Sequence, residues 1–166
     1  MRVMPLLGGD LGSYQTLSVM RGLARRAITD PLVVETARAI VRVSPPRDAH
    51  AHALAVRDYL SEHFQFIRDP RYSEQLATPR HMLEAIARRY VVQGDCDEAA
   101  TLAAALGLAV GLRARFVALG FQNQRTPLAH VYTVLGAGPM GWVSVDVTRP
   151  PFPVPPVTTR LVSMEV

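Results

Sequence analysis

The hydrophobic residues of this chain change their spacing part-way along, and that change limits the folds the chain can form. Up to about residue 110 they recur every three or four residues, as on the buried side of a helix. After residue 113 they alternate in short runs rich in Val, Tyr and Thr, as in strands. A block of helices followed by a block of strands predicts an α+β domain.

Capping residues and prolines divide the helical part. Asp30 and Thr78 are each followed by Pro, which combines a capping side chain with a residue suited to the first helical position. Ser13 and Asp48 are the other capping candidates. Helices are therefore predicted to begin near these four residues, and an Ala/Leu helix is predicted over 96–110, where Gly111 ends it.

Three strands are predicted over residues 113–119, 129–135 and 142–148. Gly and Pro residues between the last two strands predict a hairpin. Together with the preceding helix, these strands predict a helix packed on a small antiparallel sheet. By composition, 1–12 is an irregular segment and 13–148 a single domain. Residues 149–166, with five prolines between 150 and 156, form an extended tail.

The composition is that of an ordinary globular domain. The chain has 166 residues, of which 49% are hydrophobic and 19% charged. Its basic side chains are 18 arginines and no lysine, scattered along the sequence, with a net charge of +4. A nucleic-acid partner is therefore not expected. The arginine-only, alanine-rich composition is typical of a GC-rich bacterial or bacteriophage genome.

No targeting signal stands out. No apolar run approaches the ~20 residues that a membrane span requires. The N-terminus also lacks a basic segment followed by an apolar one. We therefore expect no membrane partner and no secretion signal, and a location in the bacterial cytoplasm or in a bacteriophage virion.

Three residues carry the chemistry that the sequence suggests. Cys96, the single cysteine, begins the Ala/Leu helix, where the helix dipole and unpaired N–H groups favour a thiolate and can bind an oxyanion. His130 on the next-to-last strand can act as its general base. Asp146 on the last strand can orient His130 and stabilise its charged form. A single cysteine excludes an internal disulfide and a thiolate metal cluster.

The triad requires a definite strand register. Alternation places His130 and Asp146 on the same side of the predicted hairpin. For the two residues to lie directly opposite, Gly136 must face Met140 across a three-residue loop. A slip of one residue would turn Asp146 away from His130.

Each residue also has a structural interpretation. A lone buried cysteine is usually a small hydrophobe. His130 and Asp146 would serve equally well as a bonded strand histidine and a turn cap, while Asp95 and Asp97 would favour the thiol over the thiolate. Gln93 or Tyr90 could add a donor to the oxyanion hole, and spacing gives no preference between them. Trp142 is more often a core residue than a wall of the substrate site, although it shares the predicted side of Asp146.

The segments around these residues resemble the transglutaminase-like superfamily. The resemblance lies in the Gly-Asp-Cys-Asp-Glu-Ala-Ala run at 94–100, the segment 107–117 with its two glycines, the Ala-His-Val run at 129–131 and the Trp-x-x-x-Asp-x-Thr ending at 142–148. It implies a papain-like fold with Cys at a helix N-terminus and His and Asp on neighbouring strands. Asp95 stands where the animal enzymes have Gln, which favours the broader hydrolase-like branch.

The resemblance implies cysteine-dependent acyl transfer on a protein or peptide amide. Cys96 would form a thioester, His130 would move the proton and Asp146 would hold His130. Such a mechanism needs no metal or organic cofactor. The alternative is a structural or assembly protein, such as a bacteriophage virion component, that keeps the fold with little or no activity. In that case the run 157–163 would add a strand to a partner's sheet.

Overall fold

The fold is a central helix surrounded by four others and packed on an antiparallel sheet, which confirms the predicted α+β class. The computed structural model of the chain describes residues 2–4, 9–67, 74–121, 128–148 and 160–166. The helices are α1 (Gly9–Ala27), α2 (Pro31–Val41), α3 (Ala49–His63), α4 (Pro79–Arg89) and α5 (Cys96–Ala109). The strands are β1 (Arg2–Met4), β2 (Phe64–Phe66), β3 (Glu74–Leu76), β4 (Val92–Gly94), β5 (Ala114–Gly120), β6 (His130–Gly136), β7 (Trp142–Val145) and β8 (Arg160–Glu165).

Side-chain caps set the starts of the middle helices, as predicted. The carboxylate of Asp30 accepts the N–H of Leu32, and Pro31 is the first residue of α2. Asp48 and Thr78 cap α3 and α4 in the same way. The prediction for α1 was wrong, because this helix begins at Gly9 rather than Ser13. Part of the segment 1–12 that was expected to be irregular is therefore regular.

The central helix α5 is buried along most of its length. Its own Ala and Leu side chains lie on all sides of the helix, which contacts each of the other four helices as well as β5 and β6. Its approach to the sheet is close, since a Cβ added at Gly107 would lie 2.4 Å from the Leu135 side chain. Buried Thr133 on β6 donates its hydroxyl to the carbonyl of Ala100 at 2.7 Å. These contacts fix the helix that begins with Cys96.

The four-stranded sheet has the order β7–β6–β5–β8, with every neighbouring pair antiparallel. The predicted β6–β7 register was wrong, because Gly136 pairs with Trp142 rather than with Met140. The connecting turn is longer than expected and includes a 3-10 turn at Gly138–Met140, with positive φ at Gly138 (61°) and Gly141 (82°). The shift is two residues, so each side chain keeps its predicted side of the sheet.

The last strand comes from the segment expected to be an extended tail. Residues Arg160–Glu165 form β8, which pairs antiparallel with β5 of the same chain. Val166 is buried and donates its N–H to the carbonyl of Ala114. The expectation that this segment lies outside the core was therefore wrong for 160–166. The prolines between 150 and 156 lie outside the described residues.

A two-stranded parallel pairing leads into the central helix. Phe64 pairs with Val92 and Phe66 with Gly94, so β2 fixes the strand that ends just before Cys96. Within the described part of the chain, no helix is both long enough and apolar enough to cross a membrane.

Candidate active site

Cys96 is the first residue of α5, directly after its N-cap residue Asp95. The Asp95 carboxylate accepts the N–H of Asp97 at 2.9 Å. The Asp95 backbone N–H is in turn bonded by Glu98, so that a reciprocal capping box encloses the cysteine. The position of Cys96 is therefore determined by the residues on both sides of it.

Glu98 is a buried carboxylate that sequence analysis overlooked. Its Oε2 accepts the Asp95 N–H at 2.9 Å, and its Oε1 accepts the Ala77 N–H at 3.2 Å, which joins α5 to the segment between β3 and α4. Gly94 makes room for it, since a Cβ there would lie 2.9 Å from Oε2. The signal was present in the sequence as Asp at the N-cap with Glu three residues later.

His130 and Asp146 are in direct contact. His130 Nε2 lies 2.7 Å from Asp146 Oδ2, and Thr148 donates its hydroxyl to Oδ1 at 3.1 Å. The His130 ring also stacks near the rings of Phe121 and Tyr132, with centroid distances of 6.4 and 6.1 Å. Because Nε2 is engaged by the carboxylate, Nδ1 is the ring nitrogen left for proton transfer.

The environment keeps Asp146 ionised. Partial burial raises the pKa of its carboxyl, but the hydrogen bond and charge of His130 and the hydrogen bonds from Thr148 outweigh burial and leave that pKa below its usual value. An ionised Asp146 can hold the imidazole in one orientation and stabilise an imidazolium.

The backbone beside His130 reaches the sulfur of Cys96. The Val131 N–H lies close enough to Sγ to lower the pKa of the thiol. The direction of this N–H group follows from the hydrogen-bond pattern between β5 and β6. Gly136 donates its N–H to the carbonyl of Arg113, the residue just before β5. The N–H groups of β6 residues an even number of positions from Gly136 therefore point toward β5, and the Val131 N–H points to the opposite edge. Pairing with β7 ends at Thr133, which leaves that edge open to the N-terminus of α5.

The surroundings of Cys96 favour the thiol, as expected from Asp95 and Asp97, over the thiolate expected from the helix N-terminus. Burial raises the pKa of the thiol most, and the charges of Asp97 and Asp95 raise it further, while the Val131 N–H lowers it. The thiol donates to Asp97 Oδ1 at 3.5 Å. Burial and two adjacent carboxylates therefore oppose the effect of the helix dipole.

Two of the weaker candidates have their contacts elsewhere. Tyr90 ends α4 with a left-handed backbone (φ 66°), and its hydroxyl donates to Glu62 while its carbonyl bonds to His63 Nδ1. Gln93 donates to Gln65 Oε1 at 3.0 Å. These contacts with α3 and β2 fix the approach to Cys96 rather than supply donors to it.

Trp142 lies at the far end of β7 from Asp146, on the same side of the sheet and 38% exposed. The guanidinium carbons of Arg115 and Arg113 lie 4.6 and 5.4 Å from its ring centroid. The residue is thus neither core nor a wall of the thiol site.

Asp95, Cys96 and Asp97 are close enough to share a cation. Their ligand atoms lie within 4.8 Å of one another. The two carboxylates already accept hydrogen bonds in the helix cap and from the thiol. The helix cap therefore accounts for the arrangement of these carboxylates. The thiol of Cys96, the imidazole of His130 and the carboxylate of Asp146 are instead the groups that nucleophilic acyl transfer uses.

Comparison with known proteins identifies the family. The family model of the transglutaminase-like superfamily matches residues 35–147, from α2 to just beyond Asp146. The matched range is more than half of the chain and includes all three candidate triad residues. No curated protein and no solved structure gives a significant match. The chain belongs to the transglutaminase-like superfamily.

Proposed function

We propose that the protein catalyses acyl transfer from an amide through a thioester on Cys96. The observation that carries the proposal is the 2.7 Å contact between His130 Nε2 and Asp146 Oδ2. His130 is followed directly by Val131, whose N–H is close enough to the Cys96 sulfur to lower the pKa of the thiol. The nucleophile thus comes from α5, the base from β6 and the orienting carboxylate from the end of β7.

In the first half-reaction the thiol proton moves from Sγ to His130 Nδ1 as sulfur bonds to the amide carbonyl carbon. The carbon–nitrogen bond then breaks, and the leaving amine takes the proton from His130. In the second half-reaction His130 removes a proton from water or an amine that attacks the thioester, and returns it to the sulfur. Asp146 stays ionised throughout and stabilises each imidazolium.

The oxyanion formed on the carbonyl oxygen can bind at the start of α5. The N–H of Cys96 occupies the first helical position, where no partner exists within the helix itself. Such an N–H can donate to the oxyanion, and the positive end of the helix dipole adds to its stabilisation.

A thiol at rest favours general-base catalysis over a preformed ion pair. Asp97 and Asp95 oppose ionisation of Cys96, so the proton leaves as the substrate binds to sulfur. The acyl acceptor is water or an amine. Since the chain contains no lysine, cross-linking to a lysine of a second copy is not among the reactions proposed.

Acylation by p-nitrophenyl acetate tests this function, because the acetyl group on Cys96 can be located by peptide mass analysis. We expect His130→Ala to slow acetylation by about 100-fold or more. His81→Ala, which changes an exposed histidine of α4, should leave it unchanged. Equal rates in wild type and His130→Ala, or acetylation at sites other than Cys96, would contradict the proposal.

An assembly role is the second candidate, supported by β8. This strand is at the edge of the sheet and exposes 61% of Leu161. An exposed edge strand is a template for pairing with another chain, as a virion component would require. Because β8 pairs with its own β5, the partner would add beyond β8. Size-exclusion chromatography of wild type and Leu161→Lys distinguishes this role, since only an assembly through β8 is weakened by the substitution.

A further inference from the structure

Arg115 and Trp142 lie on the side of the sheet that carries His130 and Asp146, whereas α5 packs on the opposite side, against Thr133 and Leu135. Arg115 is four residues before Leu119, which pairs with His130. Trp142 is four residues before Asp146. Side chains an even number of residues apart in a strand share a side, so both pairs face the same surface. Four residues of strand correspond to about 13 Å.

The two arginines at this end of the sheet, Arg113 and Arg115, differ in their ion pairs. Arg113 Nη2 bonds Glu165 Oε1 at 2.8 Å. Across the described residues, no carboxylate oxygen lies within 4.0 Å of the Arg115 guanidinium nitrogens. Arg115 is half-buried beside the Trp142 ring. A guanidinium held against an aromatic ring keeps its charge and its N–H donors in a fixed plane that suits a carboxylate.

We propose that Arg115 and Trp142 form a subsite that binds an acidic side chain of the acyl-donor peptide, about four residues from the amide that Cys96 attacks. This inference rests on the proposed function. Arg115 bonds the carboxylate, and the exposed part of Trp142 packs on its methylene groups. Asp95 and Asp97 repel a carboxylate close to the thiol, so an acidic residue is favoured at a distance and disfavoured beside the reacting amide.

Fluorescence of Trp142 reports on this subsite without any chemistry, because it is the only tryptophan of the chain. The probes are N-acetyl-Gly-Gly-Gly-Gly-Glu-amide and its Gln counterpart, titrated at low ionic strength. We expect a saturable change with the Glu peptide and an affinity at least tenfold weaker for the Gln peptide. Equal affinities, or the same change with sodium acetate at equal concentration, would overturn the proposal; the second result would indicate an adventitious ion only.

Two substitutions with opposite expected effects protect the test against a folding defect. Arg115→Gln should weaken the Glu peptide at least tenfold, while Arg38→Gln, an exposed residue of α2, should have no effect. Glu165→Gln removes the carboxylate that competes with the peptide for the two arginines, and it should strengthen binding of the Glu peptide. If Arg115→Gln behaves like Arg38→Gln, or Glu165→Gln weakens binding, the subsite does not exist.

A length series relates the subsite to Cys96. Iodoacetyl peptides with one to six Gly residues before Glu or Gln alkylate the single cysteine, and the ratio of the two rates is measured. We expect Glu to be slower than Gln with one Gly and several-fold faster with about four. A ratio independent of length would overturn the proposal. Because alkylation and fluorescence need no acyl transfer, both can be repeated in His130→Ala, which separates failure of the subsite from failure of the proposed function.

Discussion

The imidazole of His130 and the carboxylate of Asp146 meet diagonally across the open end of the sheet, with Nε2 2.7 Å from Oδ2. Continuing the β6–β7 register beyond Thr133 and Val145 would place Asp146 beside Tyr132. Pairing stops at Val145, however, and Asp146 reaches the neighbouring histidine instead, supported by the hydroxyl of Thr148. The contact therefore depends on where β7 ends as much as on which residue follows it.

Replacing Asp146 by Asn should remove most acyl transfer while leaving the fold intact. The amide can present its NH₂ group to His130 Nε2 and so favour the wrong tautomer, and it no longer stabilises an imidazolium. We expect acetylation of Cys96 to slow by about 10²- to 10⁴-fold. Asp58→Asn, an exposed carboxylate of α3, is the matched control. Retention of half the wild-type rate in Asp146→Asn would contradict the proposed role.

The same carboxylate should make stability depend on acid pH. The pKa of Asp146 is lowered in the folded protein, so the folded state favours ionised Asp146. Its contribution is complete above the ordinary pKa of 3.8 and is lost as pH falls through the lowered value. We expect wild type to exceed Asp146→Asn by about 1.5–3 kcal/mol in urea unfolding at pH 7. A difference that stays constant down to pH 2 would be inconsistent with this linkage.

The reactivity of Cys96 should rise late with pH. Burial and the charges of Asp97 and Asp95 raise the pKa of the thiol above its ordinary value of 9.0. Alkylation by iodoacetamide should therefore keep increasing above pH 9, and Asp97→Asn should increase the rate at pH 8 because it removes one of these charges. Glu35→Gln changes the net charge equally at an exposed position of α2 and should leave the rate unchanged. A wild-type rate that levels off below pH 8 would instead indicate a preformed thiolate.

Glu98 should matter for both stability and the site. Replacing it by Gln puts an NH₂ group where one of the backbone N–H groups of Asp95 and Ala77 needs an acceptor. Leaving a buried donor unpaired costs about 1–3 kcal/mol, which urea unfolding measures. Glu165→Gln, which removes an exposed ion pair with Arg113, should leave the urea midpoint nearly unchanged. If the two substitutions cost the same, Glu98 does not hold the start of α5.

Local features of the sequence predicted local features of the fold. The starts of α2, α3 and α4 were predictable because Asp30, Asp48 and Thr78 bond to N–H groups two or three residues away. The side of the sheet that carries Asp146 was equally predictable, since strand alternation depends only on counting. The register was not, because it depends on a turn with two glycines at positive φ.

Two other features depended on distant parts of the chain. The ionisation of Cys96 is set mainly by burial, which becomes known only once α5 is packed. β8 pairs with a strand at least forty residues earlier, and the prolines before it suggested an extended tail. The sequence suggested a strand over 157–163, but one that pairs with a partner's sheet rather than with β5.

Deleting residues 160–166 should destabilise the whole domain, and this affects how an assembly role can be tested. The deletion removes β8, exposes the edge of β5 and takes Val166 out of the core. We expect a large shift of the urea midpoint to lower concentration, against a cost of about 1–3 kcal/mol for Val166→Ala in the full chain. A synthetic peptide of residues 160–166 added to the shortened chain should restore part of the lost stability. If the shortened chain unfolds at the same urea concentration as the full one, β8 is dispensable. In that case, if truncation also abolishes assembly, the cause is the missing β8 strand and not an unfolded domain.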